Sequence, residues 1–356
     1  MDAYEKLARH LDALPNGFPL TESGVERRLL ARVFTPEEAE LAAQLRLTLE
    51  TPAQVAERLG GDAQELRRRL KDMAIKGLIA VERAESGLVF GALPFVFGFY
   101  ENQVGSLDRE FAQLFEDYYQ EALGRGLALR PQIHRVIPVE ESVGSGIEIR
   151  PYESAAEIIS QAKAWGVLDC ICRKQRALIG EACAHPIDVC MAFSQIPNAF
   201  DKNPVIRALT QEESTAVLRR AAEAGLVHSV TNTQQGMIYI CNCCTCSCGL
   251  LRGLAELGIA DAVARSAFLM RVNEEACVGC DLCQDRCQFR ALSVNGAARI
   301  DAVRCVGCGV CAPACPEGAL VLVRRESDEV PAPPVDESEW RRLRARARGL
   351  DLEAVL

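Results

Sequence analysis

Eight cysteines in the C-terminal third of the chain form two runs with the same spacing, C-x2-C-x2-C-x3-C. The first run is Cys277, Cys280, Cys283 and Cys287, and the second is Cys305, Cys308, Cys311 and Cys315, which Pro316 follows. A cubane iron-sulfur cluster is held by four thiolates, and three cysteines separated by two residues wrap a tight loop around three of its irons. Paired zinc knuckles are the alternative, but structural zinc sites seldom contain three evenly spaced cysteines followed by a fourth. The spacing therefore favours two [4Fe-4S] clusters.

The two runs belong to an internal repeat with a period of 28 residues. The repeat extends past the cysteines, because residues 286–292 align with residues 314–320, and two such half-units fold around a common core. Residues 268–325 therefore resemble a two-[4Fe-4S] bacterial-type ferredoxin domain. This resemblance implies that the fourth cysteine of each run binds the cluster of the other run. Cluster 1 is then bound by Cys277, Cys280, Cys283 and Cys315, and cluster 2 by Cys305, Cys308, Cys311 and Cys287.

One position departs from the ferredoxin pattern, because Gln288 follows Cys287 where the family usually has proline. A backbone N–H is therefore available beside Cys287, and Arg286 and Arg290 are close in sequence. Hydrogen bonds and positive charge near a cluster raise its reduction potential. We expect these three residues to tune the cluster that Cys287 holds, so that the two clusters differ in potential.

Nine further cysteines precede the ferredoxin-like region, and five of them lie within eight residues. They are Cys170, Cys172, Cys183, Cys190, Cys241, Cys243, Cys244, Cys246 and Cys248. A cysteine buried as a small hydrophobic residue needs no neighbours of its own kind, so a metal site explains the crowding better. We expect at least one additional iron-sulfur cluster, held jointly by the Cys172, Cys183 and Cys190 segment and the Cys241 to Cys248 loop. Iron is favoured over zinc because a chain with two cubanes has a use for a third redox centre.

The ligands of this additional centre are not decided by spacing. Nine thiolates allow two cubanes with one cysteine left over, or a non-cubane cluster that uses five. Arg173 and Lys174 directly follow Cys172 and suit an anionic cluster. His185 is interpreted as a residue that caps the turn before Pro186, with a ligand role as the alternative. His228 is interpreted as structural.

The middle region also resembles uncharacterised 4Fe-4S binding proteins of anaerobic bacteria. Its C-x-C-R motif begins at Cys170, and its C-N-C-C motif begins at Cys241. The resemblance implies a class of cofactor but no substrate.

Composition sets further bounds on the protein. The chain has 356 residues, enough for two or three domains, and a formal net charge of -9 that argues against nucleic acid as its main partner. Its 17 cysteines cluster at metal-ligand spacings, which indicates a reducing, cytoplasmic compartment. No signal peptide is predicted at the N-terminus, and the apolar stretch from Gly87 to Tyr100 is too short to span a bilayer. Motifs for nucleotide binding and for radical-SAM chemistry are lacking from the sequence.

The N-terminal region is predicted to contain several helices followed by a hairpin. The predicted helices are Glu22 to Val33, one starting at Pro36, Thr51 to Leu59 and Asp62 to Leu78, and the predicted strands are Ile79 to Arg83 and Gly87 to Phe90. This order resembles a winged-helix domain, with Asp62 to Leu78 in the position of the recognition helix. The exposed side of that helix carries five cations, Arg67, Arg68, Arg69, Lys71 and Lys76. DNA contact is one interpretation, and a solvated face used for protein contact is favoured because the net charge is negative.

We therefore predict an α+β, multidomain protein. Residues 1–100 form an N-terminal helix plus a winged-helix-like domain, residues 101–267 a mostly helical Cys-rich domain, residues 268–325 the two-cluster domain, and residues 326–356 a linker and C-terminal helix. In the middle domain the predicted elements are helices Leu107 to Leu123, Ala155 to Trp165 and Thr210 to Gly225, and strands near Ile133 to Val139 and Met237 to Ile240. The arginine-rich C-terminal helix is expected to be solvated or to dock on a partner.

The expected function is electron transfer. The protein is predicted to be an iron-sulfur electron-transfer protein, or the redox subunit of an anaerobic oxidoreductase, with a redox protein as its partner. One alternative is a redox-sensing transcriptional regulator that uses the winged helix on DNA. Another is a reductase whose substrate meets the middle-domain cluster. A homo-oligomer is compatible with each of these, and the sequence identifies no catalytic residue.

Overall fold

The computed structural model describes residues 1–326 and 329–356. The chain divides into two compact units. The first contains Met1–Gly126, Leu178–Gly180 and Arg341–Leu356, and the second contains Leu127–Ala177 and Glu181–Trp340. All of the cysteines lie in the second unit.

Helices followed by one hairpin make up most of the first unit. Its elements are α1 (Ala3–Ala13), α2 (Val25–Val33), α3 (Pro36–Ala42), α4 (Pro52–Leu59), α5 (Ala63–Ile75), β1 (Ala80–Ala84), β2 (Gly87–Gly91) and α6 (Arg109–Glu121). The side chains of Thr35 and Thr51 cap α3 and α4, each of which has proline at its start. Strands β1 and β2 pair antiparallel and form the hairpin that the sequence predicts. The order of elements agrees with the order predicted from sequence.

Aromatic side chains form the core of the first unit. Tyr100 stacks on Phe115 with ring centroids 4.2 Å apart, and Phe95 packs edge-on against Phe18. The end of helix α12 (Glu337–Arg348) also belongs to this unit, where Arg348 donates to the Asp12 carboxylate at 2.7 Å. The end of the C-terminal helix is therefore not fully solvated, because it packs on the N-terminal helix of its own chain. Docking of this helix on a partner stays a prediction.

The second unit is built on a six-stranded sheet. The elements are β3 (His134–Val136), α7 (Ala155–Gln161), β4 (Ala164–Leu168), α8 (Ile171–Leu178), β5 (Cys190–Ser194), β6 (Arg207–Leu209), α9 (Gln211–Glu223), β7 (Val227–Thr231), β8 (Tyr239–Cys243) and α10 (Gly249–Ala255). The strand order is β3-β7-β8-β5-β4-β6, and all neighbours are antiparallel. Helices α7 and α9 pack on this sheet through a buried apolar core that includes Ile158, Val217 and Met191.

This sheet corrects the prediction that the middle domain is mostly helical. Trp165, which we assigned to the end of a helix, lies in β4, and the helix before it ends at Gln161. The strands are three to five residues long, and such short runs carry too little alternation to be distinguished from helix or loop by sequence pattern. The sheet matters for function because β4, β5 and β8 lead directly into the cysteines.

The ferredoxin-like region forms the rest of the second unit. Its elements are β9 (Phe268–Val272), α11 (Leu282–Arg286), β10 (Leu292–Asn295), β11 (Ala297–Ile300) and β12 (Leu320–Arg324), with β9 paired to β12 and β10 to β11. A segment from the middle region packs against it, since the Val139 amide donates to the Cys308 carbonyl at 2.8 Å. Arg324 also forms an ion pair with the buried Glu153 at 2.7 Å. No sequence pattern predicts these contacts, which join residues more than 150 positions apart.

Across the described residues, no helix has the length and apolar character needed to cross a bilayer.

The core of the ferredoxin-like region predicts a difference between two neighbouring positions on β12. Leu322 is fully buried with Phe268 and Met270, whereas Val321 points to the other side of the strand and is half-buried. Leu322→Ala is expected to lower the free energy of unfolding by about 2–5 kcal/mol. Val321→Ala is the matched control and is expected to lower the free energy of unfolding much less. Urea unfolding under anaerobic conditions measures both, and equal losses would contradict the described core.

Candidate metal centres

One cavity in the ferredoxin-like region is lined by Cys277, Cys280, Cys283 and Cys315. The first three surround the start of α11, and Cys315 comes from the second repeat, after a short turn at Ala312–Ala314. Burial raises the pKa of the Cys283 thiol, and the nearby Cys315 thiol raises it further. The fold thus brings the fourth cysteine of the second run beside the first three cysteines of the first.

A second cavity is lined by the other four cysteines of the repeat, Cys287, Cys305, Cys308 and Cys311. Burial, with the charges of Cys305 and Cys287, raises the pKa of the Cys308 thiol to about 12. Backbone amides also donate to the sulfur of the fourth cysteine of each run, at equivalent places in the two repeats. Ala291 donates to the Cys287 sulfur and Ala319 to the Cys315 sulfur, both at 3.3 Å. The amide at Cys287 is therefore matched by one at Cys315.

The departure at Gln288 has a structural use. Its side-chain Oε1 accepts a hydrogen bond of 2.7 Å from the Thr245 amide, and its Nε2 donates to the Gly225 carbonyl. Arg286 donates to the neighbouring Glu223 carbonyl at the end of α9. Both side chains therefore connect the ferredoxin-like region to the sheet region. A proline at position 288 would lack the side-chain carboxamide that forms the two hydrogen bonds of Gln288.

The nine remaining cysteines separate into two neighbouring groups. We call the larger one the six-thiol group. It consists of Cys170, Cys172, Cys190, Cys241, Cys243 and Cys248. Strand pairing assembles the six-thiol group. Leu168 at the end of β4 lies opposite Cys190 in β5. Met191 lies opposite Ile240 in β8, and the same register places Cys190 beside Cys241. Residues distant in sequence therefore meet where β4, β5 and β8 meet the starts of α8 and α10.

Each thiol of this group interacts with two others, and the interactions close a ring. Around the ring the order is Cys170, Cys172, Cys248, Cys243, Cys241 and Cys190. Hydrogen bonds from Cys241 and Cys248 lower the pKa of Cys243 to about 6, and those from Cys172 and Cys190 lower the pKa of Cys170. The pKa values of the other four are raised. Because thiolates are the metal-binding form of cysteine, the group is suited to bind a metal cluster.

Arg173 supplies buried positive charge to the six-thiol group. It is 4% exposed, and its Nη2 donates to the Asn242 carbonyl at 2.6 Å. Its Nε and Nη1 atoms have no hydrogen-bond partner among the described residues. Burial acts to lower the pKa of this guanidinium, but the charges of the surrounding thiols together outweigh burial and raise it. A buried guanidinium with two nitrogens that lack a hydrogen-bond partner, beside several thiols, fits an anionic cluster, because burying a charge without an opposite charge is costly.

We call the smaller group the four-donor site. It consists of Cys183, His185, Cys244 and Cys246, whose donor atoms all lie within 4.8 Å of one another. The Cys183 and Cys244 sulfurs are 4.0 Å apart, and His185 Nδ1 lies 3.6 Å from the Cys246 sulfur. A hydrogen bond from Cys246, with a further one from His185, lowers the pKa of Cys244 to about 3. The site therefore has the donor atoms and the compactness of a site for a single metal ion.

These two groups revise the sequence interpretation. We expected Cys172, Cys183 and Cys190 to serve one site, but Cys183 lies with Cys244 and Cys246. His185, interpreted as a turn cap with a ligand role as the alternative, lies among the four donors, which favours the alternative. The C-x-H spacing from Cys183 to His185 is the sequence signal for this placement. Lys174, expected beside the cluster, lies 3.8 Å from the Asp169 carboxylate.

The other buried histidines lie beside the six-thiol group. His134 forms hydrogen bonds with Tyr239 through Nε2 at 2.6 Å and with Ser229 through Nδ1 at 3.3 Å. The Ser229 hydroxyl lies 3.6 Å from the Cys243 sulfur. Burial lowers the pKa of His134 to about 3, so the ring is neutral at ordinary pH. His228 is buried and bonds the Asn242 side chain, as its structural interpretation requires. Pairing of β3 with β7 creates the contacts of His134, and sequence spacing does not predict this pairing.

The charged face of α5 is partly neutralised within the first unit. Arg68 pairs with Glu65 at 2.6 Å, Lys76 pairs with Glu38 at 2.7 Å, and Arg69 donates to the Glu37 carbonyl. Phosphate binding needs cations that are free to meet a polyanion. These contacts favour the interpretation of α5 as a solvated or protein-facing helix.

Comparison with known proteins finds a match for two short segments of this chain. Residues 270–293 and 298–321 each match the 4Fe-4S binding domain. No curated protein and no solved structure matches the chain.

The C-terminal part of the second unit is a ferredoxin-like, two-cluster region. Its two motifs support two [4Fe-4S] clusters, and with the other cysteine groups they support an iron-sulfur electron-transfer protein. The observed mixture of helices and small sheets agrees with the predicted α+β class.

The contacts of Gln288 predict a position-specific effect on one cluster. Gln288→Ala removes the hydrogen bonds to Thr245 and Gly225 while leaving every cysteine in place. We expect an unchanged iron content and a shifted midpoint potential for only one of the two ferredoxin-type clusters, because cluster potential responds to nearby dipoles and solvent. A redox titration followed by EPR measures this shift. Pro316→Ala, at the equivalent position of the second repeat, is the matched control, and an equal shift in both variants would contradict a role for the Gln288 contacts.

Proposed function

We propose that the protein is an iron-sulfur electron carrier, or the redox subunit of a larger oxidoreductase, with a third iron-sulfur centre in the six-thiol group. Its two ferredoxin-type clusters are bound by Cys277, Cys280, Cys283 and Cys315, and by Cys305, Cys308, Cys311 and Cys287. Each cluster, when bound, accepts and releases one electron at a time. A redox protein is the partner that this function requires.

The observation that carries the third centre is the closed ring of six thiols around a buried, incompletely bonded Arg173. Six closely spaced sulfurs give the group enough ligands for an iron-sulfur cluster, and their spacing favours a non-cubane form, because the four thiolates of a cubane stand further apart. Backbone amides add support, since the Arg173 amide donates to Cys170 and the Leu251 amide to Cys248. Amide donors and a cation near sulfur stabilise the negative charge of a bound cluster.

The contact between the two cysteine-rich regions supports electron transfer between them. Gln288 is covalently joined to Cys287, and its side chain accepts a hydrogen bond from the Thr245 amide. Thr245 lies between Cys244 and Cys246 and close in sequence to Cys243 and Cys248. One hydrogen bond thus connects the ligand loop of a ferredoxin-type cluster to the second cysteine-rich loop.

Iron content tests the third centre. Two [4Fe-4S] clusters account for about eight irons per chain, so anaerobically reconstituted protein is expected to contain more. Cys190→Ser is expected to reduce the count toward about eight and to leave the EPR signals of the ferredoxin-type clusters in place. Cys280→Ser is the comparison variant, because it alters a ferredoxin ligand and is expected to change those signals. A wild-type count of eight or fewer would eliminate the third centre.

Arg173 gives a second test of the same centre. Arg173→Gln removes the buried positive charge, and we expect the midpoint potential of the third cluster to fall, because reduction adds negative charge that the side chain no longer offsets. Arg173→Lys keeps a charge but loses the guanidinium contact to Asn242, and we expect a smaller fall. EPR-monitored redox titration of the wild type and the two variants measures the order of their midpoint potentials. A potential that is the same in all three would show that no cluster lies beside Arg173.

A further inference from the structure

We propose that the four-donor site, Cys183, His185, Cys244 and Cys246, binds a single zinc ion. This site is separate from the iron-sulfur centre proposed for the six-thiol group and does not depend on it. Its role is to position the loop that contacts the ferredoxin-like region.

Distances between donor atoms decide between one metal ion and a cluster. Zinc bonds of about 2.3 Å to sulfur and about 2.0 Å to nitrogen place tetrahedral donors about 3.5 to 3.8 Å apart. The observed 4.0 Å between the Cys183 and Cys244 sulfurs, and 3.6 Å between Cys246 and His185 Nδ1, are close to these values. In a cubane each thiolate bonds a different iron, so the ligands must stand further apart than the 4.8 Å limit within this site.

The set of donors also favours zinc in a structural role. Three cysteines and one histidine form one of the common structural zinc sites, in which the protein supplies all four ligands. The ligands come from two short segments, Cys183 to His185 and Cys244 to Cys246, which are 61 residues apart in sequence. The Ser247 hydroxyl lies 3.6 Å from the Cys183 sulfur, in position to orient that ligand. A metal ion here would crosslink the segment before β5 to the loop after β8.

This crosslink would act directly on the contact with the ferredoxin-like region. Thr245 is the residue between Cys244 and Cys246, and its amide donates to Gln288 Oε1 at 2.7 Å. Fixing both neighbours of Thr245 fixes the direction of that amide. Zinc has no redox chemistry of its own, so its effect on electron transfer would pass through this hydrogen bond. His185 is therefore a positioning residue with respect to the cluster that Cys287 is assigned to bind.

Metal analysis of anaerobically purified full-length protein is the primary test. We expect about one zinc per chain in the wild type and a loss of most of it in His185→Ala and in Cys246→Ser. Cys190→Ser, in the six-thiol group, is the matched control and is expected to keep its zinc while losing iron. Iron rather than zinc at the four-donor site, or zinc that survives both ligand substitutions, would overturn the assignment. Because zinc and iron are counted separately, failure of this site is distinguishable from failure of the third iron-sulfur centre.

Cobalt substitution keeps the test valid if a ligand variant fails to fold. Wild-type protein produced with cobalt in place of zinc is expected to show the visible absorption of tetrahedral cobalt bound by thiolates, seen as a difference spectrum against the zinc form. Absence of that absorption from cobalt-loaded protein would overturn the site.

Redox titration tests the positioning role. His185→Ala is expected to shift the potential of the same ferredoxin-type cluster that Gln288→Ala shifts. The double variant is expected to show no further shift, because both changes break one connection. Additive shifts, or no shift in His185→Ala, would show that the metal does not act through the Thr245 to Gln288 hydrogen bond.

Discussion

Repulsion between neighbouring thiolates is the constraint on which the second unit depends. Seventeen cysteines lie in this one unit, and metal binding requires those that act as ligands to lose their protons at close range. Positive charge must offset the resulting negative charge. In the ferredoxin-like region backbone amides reach the sulfurs of Cys287 and Cys315, and in the six-thiol group the buried Arg173 contributes a full charge. Bound metal would supply the remainder, so the unit is expected to be most stable when loaded.

The sheet carries out the assembly of these charges. Antiparallel pairing of β4, β5 and β8 brings Cys170, Cys190 and Cys241 together from segments that are far apart in sequence. The turn after β8 then places Cys243 in the six-thiol group and its neighbour Cys244 in the four-donor site. Two consecutive cysteines therefore lie in different groups. If both proposed centres bind metal, this division accounts for the richness of the loop in cysteine.

The ferredoxin cysteines could be predicted from sequence because their geometry is local. Three cysteines at fixed short spacing form one loop whatever the rest of the chain does, and the repeat supplies the fourth. Crowding of the middle-region cysteines predicts that they are metal ligands, but it does not predict how they are grouped. Cys183 and Cys190 are seven residues apart and lie in different groups, whereas Cys183 and Cys244 are 61 residues apart and belong to the same one. Only strand register determines which sulfurs meet, and strands of three to five residues leave little trace in sequence pattern.

The sequence by itself determined the class of chemistry, two cubane motifs and an excess of thiols, together with the helices and hairpin of the first unit, because side-chain type and short spacing specify these features. The tertiary structure decided what depends on distant parts of the chain. It placed His185 with three thiols and Arg173 beside the six-thiol group. It also brought Gln288 to its partners Thr245 and Gly225. Those contacts form only after the sheet has paired, since the pairing sets the distances between donors that no local spacing encodes.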